Sequence, residues 1–163
     1  MADDGALEVE VAGAGASHTT NDTANNVQKG AYIMLKGKPC KVVDYSKAKP
    51  GKHGAAKIMF VGIDIFTDKK VEETHSSTSN VEVPIVKKSE FQLMDITDEG
   101  YMSLIDGSGN MKEDVKIPDA SEDDQKLVAE MKGGLDSGKQ VVVSVISAMG
   151  LERVVGPLKI TDA

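Results

Sequence analysis

From Gly30 onward, apolar and β-branched residues come in short runs separated by glycine, proline, asparagine and aspartate. "AYIMLKGKPCKVVDY" predicts a strand, a Lys-Gly-Lys-Pro turn and a second strand. "AAKIMFVGIDIFT" predicts a longer strand, with Val61, Ile63 and Ile65 on one face and Gly62 and Asp64 on the other. "TDKK" then turns the chain and "VEETHSS" returns it. Four or five short strands within about sixty residues predict a small barrel.

A second β series follows "VEVPIVKK", where Pro84 interrupts a strand pattern and marks an edge or a passage between domains. "SEFQLMDIT", "YMSLIDGSG" and "MKEDVKIP" are its first three strands. One helix is expected from Glu122 to about Leu135. Ser121 suits its N-cap, Asp124 sits at the capping-box offset, and Gly133-Gly134 weakens its last turn. "QVVVSVISAMG" and "LERVVGPLKI" close the series, and five strands with a late helix fit an OB-like barrel. Residues 1–27 are rich in Gly, Ala, Ser, Thr, Asn and Asp, the composition of a flexible acidic tail. The expected division is therefore a tail over 1–27, a first domain over 28–83 and a second over 84–163, all mostly β.

Composition narrows the chemistry. Apolar residues make up 40% of the 163, enough for a core, and no apolar run is long enough to span a membrane. Cys40 is the single cysteine, so internal disulfides and cysteine-cluster zinc sites are excluded. Beside Pro39 in a strand, it reads as a small buried hydrophobe. With no basic, apolar leader at the start, a reducing, cytoplasmic setting is expected. Asn21-Asp22-Thr23 matches a glycosylation sequon by chance in that setting.

Charge is unevenly spread. Residues 29–57 hold eight lysines against Asp44 alone, inside a chain whose net charge is -7. Such a block reads either as a solvated lysine-rich hairpin or as a surface for a polyanion, of which RNA is the commonest in the cytosol. At its centre stands "KAKPGKHGAAK", where Pro50, Gly51 and Gly54 mark a tight exposed turn. Lys52 lies beside Gly51, with no bulky neighbour to pack against on that side, and points outward. Lys47, Lys49 and Lys57 flank it; held close, they would lower its pKa by like-charge repulsion.

No catalytic constellation is legible. His18, His53 and His75 fall in separate segments without metal-ligand spacing, and His18 and His75 read as ordinary surface. "GKHG" lacks the upstream glycine and the following Ser or Thr of a phosphate-binding loop. "SEDD" is helix-start chemistry, and no nucleophile stands with a base, so no enzyme is expected. Phe91 and Tyr101 lie in apolar patterns that point to core, which argues against base stacking by the second domain.

"KPGKHGAAK" closely resembles the lysine loop of the translation factor 5A family, homologous to bacterial elongation factor P. "LKGKPCKVVD", "VGIDIFTDKK", "VEVPIVKKSEFQLMDI" and "DSGKQVVVSVISAMG" extend the resemblance in the same order, from about Gly30 to Gly150. It implies an N-terminal SH3-like barrel followed by a C-terminal OB-fold with one helix. It also implies that Lys52 becomes hypusine. Deoxyhypusine synthase would transfer an aminobutyl group from spermidine to Lys52, using NAD, and deoxyhypusine hydroxylase would add one hydroxyl. Pro50, Gly51, His53 and Gly54 would present the loop to these enzymes. The implied function is an elongation factor that binds the ribosome, ribosomal RNA and peptidyl-tRNA, with Lys47, Lys49 and Lys57 on RNA. There the modified Lys52 would promote peptide-bond formation at stalled sequences such as consecutive prolines, and assist termination. No bound cofactor and no metal are expected. The alternative is a general RNA-binding module with an unmodified basic hairpin. This chain has Ala55 where most eukaryotic members have His, and Pro50 where they have Thr. Ser79 likewise stands where the family usually has His.

Overall fold

The computed structural model describes residues 18–49, 54 and 56–162. It divides into two compact units after Ile85, and the second unit also takes in Phe66–Asp68. Each unit has its own hydrophobic core.

In the first unit, β2 (Tyr32–Leu35), β3 (Lys38–Ala48), β4 (Lys57–Asp64) and β5 (Lys70–Ser76) form an antiparallel sheet in sequence order. Lys36 and Gly37 alone make the first turn. Both have positive φ, 50° and 77°, the geometry whose twist matches paired strands, so Lys38 and Pro39 already belong to β3. Ile33, Leu35, Cys40, Val42, Ile58 and Phe60 are buried in the core. The buried side of β4 is therefore Ile58, Phe60, Gly62 and Asp64, while Val61 and Ile63 are only half-buried. Gly62 belongs there because a Cβ would lie 2.8 Å from Leu35 Cδ1 and 2.9 Å from Cys40 Cβ.

The tail expected over 1–27 needs correction over its described part. Thr19–Thr23 forms β1, which pairs with β6 (Asn80–Pro84), Thr19 opposite Pro84 and Thr23 opposite Asn80. A single 3-10 turn, Ala24–Asn26, follows; Ala24 is fully buried and Val27 nearly so. The middle of β1 carries exposed polar side chains, which is why its composition reads as solvated chain; backbone pairing with β6 holds it. Residues 1–17 lie outside the described residues.

The second unit holds β7 (Lys87–Ile96), β8 (Tyr101–Ile105), β9 (Met111–Lys116), α1 (Glu122–Asp136), β10 (Gln140–Ala148) and β11 (Leu151–Thr161). The sheet order is β11-β10-β7-β8-β9, with α1 between the third and fourth strands of the series, as in an OB fold. Lys112 on β9 pairs with Glu152 on β11 at 3.0 Å, across the two outer strands of the sheet. The helix start follows its sequence. Ser121 Oγ accepts from the Asp124 N–H at 3.3 Å, while Asp124 Oδ2 accepts from the Ala120 N–H at 2.8 Å. Gly134 has a packing reason beyond its low propensity, since a Cβ there would lie 2.6 Å from Val141 Cγ2. Phe91 packs against the core. Tyr101 is half-buried instead, with Lys116 Nζ 5.5 Å from its ring centroid.

Candidate functional site: the β3–β4 hairpin

The lysine loop is the connection between β3 and β4. Their ladder ends at Ala48 opposite Lys57, which leaves residues 49–56 as the connection and Lys52 near its middle. Pro50, Gly51, Lys52, His53 and Ala55 lie outside the described residues. Gly54 is exposed at φ +112°, a backbone region that glycine occupies without strain, and no described residue lies within 4 Å of where its Cβ would stand.

One extra residue in β3 decides how the arms of this hairpin present their lysines. The register shifts between Val42 and Asp44, leaving Val43 unpaired as a bulge, 47% exposed. Side chains alternate with a period of two, so an inserted residue reverses the facing of everything beyond it. Tyr45 thereby faces Phe60, and Lys47 faces the buried Ile58, on the core side of the sheet. Lys57, opposite Ala48, stands on the other side. The flanking lysines thus do not gather on one face. Lys49 begins the connection and is exposed, as is Lys57.

Lys47 has specific neighbours. Its Nζ donates to Asn25 Oδ1 at 2.8 Å and lies 6.0 Å from the Tyr45 ring centroid. The Tyr45 hydroxyl donates to Gln28 Oε1 at 3.3 Å. Lys29 and Asp44 pair at 3.5 Å, but both are well exposed, so the pair contributes little. His75, expected as ordinary surface, stands within β5 opposite Ile58. It is 25% exposed and bonds Glu73 Oε1 through Nε2 at 2.8 Å. The hairpin placed it on the core side, where its ring lies 6.2 Å from that of Phe60.

Neither Asn25 nor the bulge at Val43 was legible as part of this site. Asn25 sits in a polar stretch with no pattern, and a bulge leaves no mark in a run such as "CKVVDY". In the second unit, Asp124, the last residue of "SEDD", serves structure. Arg153 donates twice to Asp68, at 2.8 and 2.7 Å, and through Nη2 to both oxygens of Asp124, at 2.9 and 2.8 Å. These bonds hold the Asp68 carboxyl below the usual carboxylate range, against the opposing effect of burial. Cys40 is fully buried, and burial pushes its thiol up to about 11, with Asp64 adding to the rise. It is no nucleophile at neutral pH. Among the described residues, no cluster of His, Cys, Asp or Glu could hold a metal ion, and no helix is long and apolar enough to cross a membrane.

Residues 17–94 match the family model described as translation initiation factor 5A-like, N-terminal. Residues 85–157 match that described as eukaryotic elongation factor 5A hypusine, DNA-binding OB fold. Eukaryotic translation initiation factor 5A-3 of Arabidopsis thaliana is 47% identical over 144 residues, covering 88% of this chain and 89% of the relative. Eukaryotic translation initiation factor 5A-2 of Solanum lycopersicum is 47% identical over 143 residues, 88% of this chain and 87% of its own. Among solved structures, a translation initiation factor 5A family protein from Naegleria fowleri superposes with a TM-score of 0.81 at 40% identity, over 88% of this chain and 99% of that one. Eukaryotic translation initiation factor 5A from Methanococcus jannaschii gives 0.67 at 30% identity, over 88% and 96%. With both units matched in order and nearly half the residues shared with relatives of similar length, the chain belongs to the translation factor 5A family, whose members carry hypusine on a lysine and act on the ribosome as translation factors rather than enzymes.

Proposed function

We propose that Lys52 is the lysine that carries the hypusine, and that this side chain is the working end of the factor. The observation that carries the reading is the register of the β3–β4 hairpin, which leaves "GKHG" at the middle of an eight-residue connection, beyond the last paired residues. Deoxyhypusine synthase transfers the aminobutyl group of spermidine to the Lys52 amine, using NAD, and the hydroxylase then adds one hydroxyl. Pro50, Gly51, His53 and Gly54 present Lys52 to both enzymes with little bulk around it. Four carbons and a nitrogen lengthen the side chain by roughly 6 Å and add a second cation.

A long flexible cation reaches phosphates and sugars in a cleft that no barrel can enter. In this reading the factor works in the cytoplasm, on the ribosome beside the acceptor end of peptidyl-tRNA. It promotes peptide-bond formation at stalled sequences such as consecutive prolines, and assists termination. Lys49 and Lys57 meet the surrounding RNA, while Lys47 is committed to the base of the hairpin. An unmodified basic patch is a weaker reading, because Lys47 and Lys57 stand on opposite sides of the sheet.

Tandem mass spectrometry of the Lys52 peptide from native cells, paired with Lys52→Arg in a polyproline synthesis assay, tests this. Expected are an added aminobutyl group and loss of stimulation by a variant that keeps the charge. A bare lysine at full occupancy, with a fully active Lys52→Arg, would leave the fold standing and replace the mechanism by general RNA binding.

A further inference from the structure

We propose that Lys47 is a positioning residue for the lysine hairpin, acting through Asn25 rather than by touching RNA. The proposal rests on the reading of Lys52 as the working residue. Its basis is a run of contacts across the base of the hairpin. Lys47, on the first arm, donates to Asn25 Oδ1 at 2.8 Å. The Asn25 N–H donates to the Ser77 carbonyl at 3.0 Å, and the Ser77 N–H donates at 2.7 Å to the carbonyl of Ala56, the last residue of the connection, next to Lys57 of the second arm. The run thus closes from one arm to the foot of the other through two residues that belong to neither.

Both intermediates are themselves anchored. Ala24, next to Asn25, is fully buried and its N–H donates to the Ser79 carbonyl at 2.9 Å. Ser79 Oγ donates in turn to the Ser76 carbonyl at 2.8 Å. Tyr45, whose ring lies beside the Lys47 ammonium, is held by Gln28. The Val43 bulge makes the arrangement possible, since without it Lys47 would face away from Asn25.

These contacts lie at the foot of the connection, because the ladder between the arms stops at Ala48 and Lys57. From Ala48 to Lys52 is four residues, at most about 14 Å of chain. A swing of roughly 10° at the base would displace the Lys52 Cα by roughly 2 Å at that reach. Displacements near 1 Å already cost reactions their alignment. An ammonium bound to an amide oxygen and set beside a ring also has less to offer a phosphate, which it could reach only by leaving both.

The test uses the full chain, modified at Lys52 and verified by mass, with Asn25→Ala, Asn25→Asp, Lys47→Met and the Asn25→Ala/Lys47→Met double variant. Two quantities are read from polyproline synthesis: the factor concentration for half-maximal stimulation, and the plateau. Amide hydrogen exchange at Ser77 is followed alongside. Asn25→Ala and Lys47→Met are each expected to raise the half-maximal concentration about threefold, as loss of one exposed charged hydrogen bond does, with the plateau unchanged. The double variant should be no worse than either, and Ser77 should exchange faster in all three. Asn25→Asp keeps the acceptor and should behave as wild type.

If Lys47→Met weakens the factor while Asn25→Ala is silent, or Asn25→Asp is as poor as Lys47→Met, Lys47 meets RNA directly and the proposal is overturned. A fully active Lys52→Arg would remove the reading beneath it. Exchange at Ser77 then decides the brace alone, and unchanged exchange in both single variants rejects it.

Discussion

Two adjacent glycines near the end of α1 should respond in opposite directions to the same substitution. Gly133 is exposed, and among the described residues a Cβ there meets nothing within 4 Å. Gly133→Ala therefore gains helix propensity and restricts the unfolded chain, stabilising the unit by about 0.5–1 kcal/mol. Gly134 is buried where the helix lies on β10 and β11. Its added methyl would sit 2.6 Å from Val141 Cγ2, with Ile160 Cδ1 at 3.6 Å and Ile160 Cγ2 at 3.7 Å behind it. Ordinary carbon contacts begin near 3.5 Å, so about 1 Å must be found. Val141 is fully buried and β-branched, with no alternative rotamer to take up cheaply. The helix has to back away from the strand instead.

Overpacking of this kind costs roughly 1–3 kcal/mol, which exceeds the propensity gain. Gly134→Ala is expected to lose about 1–2 kcal/mol net, so the two variants should differ by about 2 kcal/mol. Urea unfolding followed by far-ultraviolet circular dichroism measures this, because the helix lies wholly in the second unit. A Gly134→Ala protein as stable as Gly133→Ala would refute the reasoning, since it would mean that the helix–strand gap closes at no cost.

Cys40 should be inert to thiol reagents in the native protein and react at the rate of unfolding, which a labelling time course in increasing urea measures. Its thiol is pushed up to about 11 on folding from an ordinary value of 9.0, so the folded state holds the proton longer. Stability should accordingly fall as pH rises from about 9 towards 11, and Cys40→Ala should remove that part of the decline. Asp68 works in the other sense. Its folded pKa lies below the ordinary value, so its contribution is present above about pH 4 and is lost as pH falls through the folded pKa. Asp68→Asn is expected to lower the urea midpoint at neutral pH and to flatten its decline in acid; an unchanged acid limb would show that the Arg153 bonds do not bear on folding.

Much of this architecture was legible in the chain because the signals are local. The turn at Lys36-Gly37 was legible because glycine takes its second place at positive φ, although it needs two residues rather than the four of "KGKP". Ser121 and Asp124 start a helix through bonds made within four residues. The five strands around α1 follow from short runs bounded by such turns. What required the tertiary structure depends on partners far along the chain. Thr19–Thr23 is a strand only because residues 80–84 lie beside it, about sixty positions away, so its own polar composition read as a tail. The core side of β4 was set by Leu35 and Cys40 covering Gly62, a contact that no alternation within β4 records. The inserted residue at Val43 turned Lys47 towards Asn25 and His75's partner Ile58, and left Lys57 on the other side. A count of eight lysines carries charge but no facing; facing comes from register, and register is decided by the neighbouring strands.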